Sequence, residues 1–236
     1  TTKGYILESP FNSVLNDPMY VGYMYGTSGT LALNRTNEND STIKGVIDTW
    51  YSNNLSAYAK YLSKEAVYCN DRELESDSMY SVSSGFNYAA RGRLFTNKMP
   101  SYNCENSRDA FSVSNSEARL KYSIGLMTAD EVAYAGGKAG SEVSEVWYYL
   151  NSNGGSITGT YSWWTMSPAK WYPTELLDYA MVFMVNLLSP PNIYISETSV
   201  DYVDKAVLRP VISLKGDNEW KSGDGSATNP YEIVTK

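Results

Sequence analysis

The chain has 236 residues, 42% of them apolar, enough for a real core in one large domain or two small ones. Net charge is −7, and no Lys/Arg cluster reaches the density of a nucleic-acid or acidic-membrane footprint. Histidine is absent, which removes Ser-His-Asp and Cys-His catalysis and the HExxH zinc sites and makes an enzyme the minority reading.

Charged residues are only 19%, so Asn, Ser, Thr and Tyr must finish the surface. The 21 tyrosines admit two readings: rigid amphipathic contacts for a recognition surface, or the ordinary usage of secreted β-rich proteins. Two cysteines, Cys69 and Cys104, cannot make a four-Cys zinc site. In an exported chain they predict one disulfide, worth roughly 3–4 kcal/mol by loop-closure entropy. In a cytosolic chain they would be buried thiols, and the polar, uncharged surface favours the first. No signal peptide is visible, and the longest apolar run, at 179–185, is too short to span a membrane. Opening on Thr1-Thr2-Lys3, the chain reads as a trimmed ectodomain without membrane contact of its own.

In chain order, strands are expected at 3–7 and at the aromatic run 19–25. Ile43, Val46, Ile47, Trp50 and Tyr51 share a helical face, resumed by Leu55, Tyr58 and Leu62. One helix or two abutting ones are expected over 41–64, capped by Asp40 or Ser41. Residues 68–120 are irregular apart from a strand expected at 91–95, and the disulfide would staple them. Thr128 and Glu131 have capping-box spacing, and Gly136-Gly137 supplies a C-cap. A Ser/Gly/Asn stretch follows at 151–160. Trp163 and Trp164, beside Met166 and Pro168, are assigned to the core. Short strands are then expected at 180–186, 192–196 and 207–214, and the Gly-rich run at 223–225 is a turn feeding a last strand. With no repeat and no linker, this is one α+β domain over 1–236.

Residues 123–137 (Ser-Ile-Gly-Leu-Met-Thr-Ala-Asp-Glu-Val-Ala-Tyr-Ala-Gly-Gly) resemble the second helix of the formylglycine-generating-enzyme type of C-type lectin fold, through Thr128, Glu131 and Tyr134-Ala135, with Met127 where that family has Pro. Further pieces match in order: Tyr23-Met-Tyr-Gly26, 39–44, Asp48-Thr-Trp-Tyr51, Asn53-Asn-Leu55, Cys69-Asn-Asp-Arg72, Trp164-Thr-Met-Ser-Pro168, 208–214 and Asn229-Pro-Tyr231. Together they are similar to gut-bacterial and phage-borne surface proteins, including pilin-like filament-tip proteins and the variable proteins of diversity-generating retroelements. The resemblance implies a C-type-lectin-like fold with two main helices, short twisted antiparallel strands and long loops. It implies an extracellular recognition domain on a cell surface or filament, whose ligand-contacting and variable region is 169–206. Val207 stands where the family commonly has Gly. The Glu-Pro-Asn and Trp-Asn-Asp tripeptides of calcium-dependent sugar binders are absent, so no metal or other cofactor is expected.

Within 169–206 the expected ligand contacts are Lys170, Trp171, Tyr172, Thr174, Glu175, Asp178, Tyr179, Met181, Met184, Tyr194, Glu197, Tyr202 and Asp204. Strand 180–186 is apolar at every position but the last. Beside Leu187, Leu188 and Ile193 this means either an exposed apolar patch or a strand covered on both faces. Glu197, Asp201 and Asp204 could be read as a cation site, but an acidic rim is the simpler reading. Glu175 and Asp178 as a glycosidase pair have no cleft signature. The expected partner is a protein or glycan, with a filament or anchor beside it. The alternatives are a pilin-like filament subunit and an enzyme of the formylglycine-generating type, which would need a reactive cysteine late in the chain where none follows Cys104.

Overall fold

The computed structural model describes residues 7–76, 78–140, 162–189, 192–204, 206–226 and 228–234, with strand residues 187–189 and 192–193 described by their backbone alone. The expected strand at 3–7, except its last residue, and the stretch at 151–160 lie outside the described residues.

The aromatic run at 19–25 is not one strand. Asp17 accepts a hydrogen bond from the Met19 amide at 2.8 Å, and Pro18 holds the first helical position, so Pro18–Val21 winds into a 3-10 turn. Only β1 (Met24–Tyr25) is extended. A short α1 (Leu31–Asn34) leads to β2 (Asn39–Asp40), which pairs antiparallel with β1. Helix α2 (Thr42–Asn54) starts where Ser41 accepts from the Lys44 amide, and it buries Ile43, Ile47 and Tyr51. After Leu55 it passes into a 3-10 helix, Ser56–Tyr61, the two abutting pieces that the broken stripe suggested.

β3 (Tyr68–Cys69) pairs with β5 (Ala110–Phe111), and β4 (Phe86–Asn87) lies between them in sequence. The strand expected at 91–95 is helical instead: α3 (Ala89–Arg91) continues into a π-turn, Gly92–Asn97. Tertiary packing overrides the local pattern here. Ala90 and Leu94, four apart, lie under the central sheet, while Arg91 and Arg93 reach carboxylates on either side. β6 (Gly125–Leu126) then precedes α4 (Ala129–Tyr134), whose Thr128–Glu131 capping box has both hydrogen bonds in place, at 3.0 and 2.7 Å.

Three long strands follow: β7 (Ser162–Tyr172), β8 (Tyr179–Ser189) and β9 (Asn192–Ser199), joined antiparallel in that order. β7 and β8 have 11 residues each, longer than the short strands expected. β10 (Ala206–Val207) joins β7 in parallel at its beginning, and β4 joins it antiparallel at its end. β11 (Pro210–Val211) pairs with β6. Pro168 sits in β7 because the register shifts on both sides of it, so no ladder donor is needed there. At this bulge the Met166 amide donates to Met127 and the Ser167 hydroxyl accepts from Ala129, tying the strand to α4. The fold is α+β.

The central sheet is covered on both faces. Trp164, Trp171, Val182 and Met184 pack with Phe11, Tyr23 and the α2 residues Ile43 and Ile47. Trp163, Phe183, Val185 and Ile195 pack against Ala90, Leu94, Ala129 and Val132. At about 1.5–3 kcal/mol per buried large side chain, this double cover is the main stabilising term. It explains why β8 does not alternate over Val182 to Val185: neither face meets water there. Trp163 and Trp164 are core, as expected, one on each face.

The motif Cys69-Asn-Asp-Arg72 anchors the irregular half. Cys69 and Cys104 form the expected disulfide, with Cα atoms 5.9 Å apart. Asn70, fully buried, accepts from the Tyr23 amide and donates to the Met166 and Val21 carbonyls. Asp71 holds Arg93 from a left-handed backbone. Arg72 uses all five side-chain N–H groups, on Asp109, the Met24, Asn34 and Arg108 carbonyls, and Asn37. A buried guanidinium is tolerated because each donor is matched. Gly22 is required beside it, since a Cβ there would lie 2.4 Å from the Met24 carbonyl oxygen and 2.9 Å from Arg72.

Candidate ligand-binding site

β7 ends, β8 begins and β9 ends at one end of the central sheet. Tyr172 is paired with Tyr179, and Met181 with Ser199. The β7–β8 loop at 173–178 and the segment 200–204 therefore leave the sheet together. The loop before β4 joins them. The Trp171 indole N–H donates to the Val82 carbonyl at 2.7 Å, and Gly85, at φ +75°, lies against Pro173. A Cβ at Gly85 would come within 2.9 Å of both Pro173 and the Trp171 carbonyl, so this close approach requires glycine.

Thr174 shapes the β7–β8 loop. Its hydroxyl accepts from the Leu176 and Leu177 amides and bonds the Leu177 carbonyl, which also accepts from the Thr174 amide at 3.1 Å. A turn closed this tightly cannot bend its middle inward, and Leu176 is left 94% exposed. Leu177, Tyr172, Val203 and Tyr202 are also exposed, as are Met79 and Val82 on the adjoining loop. Several large apolar side chains are thus gathered at one sheet end, the arrangement associated with partner binding rather than with scattered surface residues. Glu175, Asp178, Asp201 and Asp204 edge it with negative charge. Burial and the nearby Asp204 carboxylate hold the Tyr202 phenol above its ordinary value, so it stays a hydrogen-bond donor.

The other expected contacts divide. Tyr172, Thr174, Glu175, Tyr202 and Asp204 are exposed, and Lys170, Asp178, Tyr179, Met181, Tyr194 and Glu197 are half-buried. Two are corrected: Trp171 (1% exposed) and Met184 (2%) are core residues, packed with Phe11, Tyr23 and the α2 residues under the sheet. Neither can touch a ligand. Leu187, Leu188 and Ile193 fall outside the described side chains. Glu197 is held by Lys170 at 2.6 Å and by Arg91, which spends its charge inside the protein. The Lys170 ammonium also lies over the Tyr172 ring, 5.3 Å from its centre. No group of three metal-ligating side chains stands together among the described residues.

Sequence reasoning missed Leu176, Leu177, Val203, Met79 and Val82. The signal for the leucines was present: two leucines enclosed by Pro173-Thr174 and Asp178 lie in a turn too short to reach the core. Comparison with family models, with curated proteins and with solved structures gave no match.

Proposed function

We propose that this chain is an extracellular, non-enzymatic recognition domain that grips a protein partner through the apolar sheet end formed by 172–178 and 202–203. The observation that carries the reading is Leu176, extended almost wholly into water from a turn that Thr174 locks, with Leu177, Tyr172 and Tyr202 gathered at the same end. Leaving such side chains in water is unfavourable, and a partner that covers them recovers about 25 cal/mol per Å² of apolar surface. Exposed leucines favour a protein surface over a glycan, and the acidic edge favours a partner with basic residues around an apolar centre. The disulfide supports an oxidising compartment. No described helix is long and apolar enough to cross a membrane. The C-type-lectin-like architecture, display at a filament tip and retroelement diversification belong to this proposal through the sequence resemblance. The bridge between both cysteines supports the non-enzymatic reading over formylglycine-type chemistry, which needs reactive thiols.

The test is to screen the purified domain against a panel of secreted and surface proteins and a panel of immobilised glycans. Hits are then repeated with Tyr172, Leu176 and Tyr202 all replaced by Ala. A protein hit lost in the triple variant, with unchanged melting, supports the reading. A glycan hit lost in the same variant keeps the face and changes the ligand class. Protein binding that survives the triple substitution moves the site elsewhere, and no protein hit favours the filament-subunit alternative.

A further inference from the structure

A second cleft lies between the disulfide and α4, with a volume of about 160 Å³. A cavity of roughly 150 Å³ holds one six-membered ring. The cleft's lining is polar and apolar by turns, so a ring with a hydroxyl edge and a C–H face fits it better than benzene would. Tyr102 forms its outer wall. One face of that ring stacks on Tyr134, with centres 4.1 Å apart and planes 16° apart, yet Tyr102 remains 66% exposed. Tyr134 is fixed in turn by a hydrogen bond to the Pro100 carbonyl at 2.7 Å. The result is a rigid aromatic platform at the mouth of the cleft.

Deeper in, Arg93 donates through Nε and Nη2 to Asp130 and through Nη2 to Asp71 Oδ2. These bonds use neither Arg93 Nη1 nor Asp71 Oδ1. A guanidinium donor and a carboxylate acceptor lining one cleft match two neighbouring hydroxyls, each able to donate and accept a hydrogen bond. Asp71 holds its place in a left-handed backbone at φ +39°, an unfavourable conformation for a non-glycine residue and one often found at binding sites. The charge excludes an acidic ligand: Asp71, Asp130 and Glu131 outnumber the single guanidinium.

We propose that this cleft binds a single neutral sugar ring, its C–H face on Tyr102 and two adjacent hydroxyls on Asp71 and Arg93. The site is separate from the sheet end and does not depend on what binds there.

The test uses saturation-transfer NMR and calorimetry on the whole chain with glucose, galactose, mannose and N-acetylglucosamine, and with sialic acid as the acidic arm. At least one neutral sugar is expected to bind in the millimolar range. Tyr102→Ala should weaken it about tenfold or more, the equivalent of one well-made contact, while Tyr102→Phe retains it. Leu176→Ser, at the sheet end, should leave it unchanged. The proposal is overturned if no neutral sugar gives transfer at tens of millimolar, if sialic acid binds more tightly than all four, or if Tyr102→Ala binds like the parent with the same melting temperature.

Discussion

Strand β8 and the loop that leads into it are both rich in large apolar side chains, and they meet opposite fates. Val182, Phe183, Met184 and Val185 are buried on alternating faces, because α2 covers one side of the sheet and α3 with α4 covers the other. Leu176 and Leu177, a few residues earlier, stand in water because Thr174 closes their turn before the chain can reach either layer. Hydrophobicity is the same in both places. What differs is whether a second layer exists above the residue, and that is set by chain connectivity at long range. An apolar run therefore marks a contact surface only where the fold leaves it uncovered.

The largest effect should come from the covered side. Trp171→Ala removes a fully buried indole and its bond to the Val82 carbonyl, and should cost about 3–5 kcal/mol in a denaturant titration. A loss under about 1 kcal/mol would mean that this ring is not core. Replacing Cys69 and Cys104 together by Ser opens a 35-residue separation and should cost roughly 3–4 kcal/mol, read as a lower midpoint that no longer responds to reductant. On the uncovered side, Leu176→Ser should change stability by no more than about 0.5 kcal/mol, since nothing packs on it. A large loss there would erase the contrast with β8.

The smallest effect concerns pH. Burial raises the Asp48 carboxyl above its ordinary 3.8, although Lys44 lies 2.7 Å away and pulls the other way. The folded state thus keeps this proton to higher pH than the unfolded chain does. The stability that this supplies is complete below pH 3.8 and is lost as pH rises through the folded-state value. Asp48→Asn should flatten the dependence of the unfolding midpoint over that acidic window, and an unchanged slope would assign it to other groups.

Much of the scaffold was legible in the sequence because its signals are local. The capping box of α4, the stripe of α2, the cysteine pair and the packing role of Trp163 and Trp164 need only near neighbours or simple chemistry. The helix at 89–97 was not legible, because its alternating residues suit a strand and only packing under β7 and β8 decides otherwise. The motif residues Asn70 to Arg72 were seen as a resemblance and Arg93 as part of a strand, not as a buried polar network, since their partners lie 22 to 96 residues away. At the candidate site Tyr172 and Tyr202, expected as contacts, are exposed at the sheet end. Trp171 was misplaced, because an aromatic beside an exposed tyrosine in sequence faces the other way in a strand.

Carbene footprinting of the folded chain, free and then saturated with a protein found in the panel screen, tests the central claim most directly. The account predicts heavy labelling at Tyr172, Leu176 and Tyr202 in the free protein, little at Trp171 and Met184, and loss of the first set when the partner binds. Labelling of Leu176 that is unchanged by a bound partner, with protection elsewhere, would contradict it.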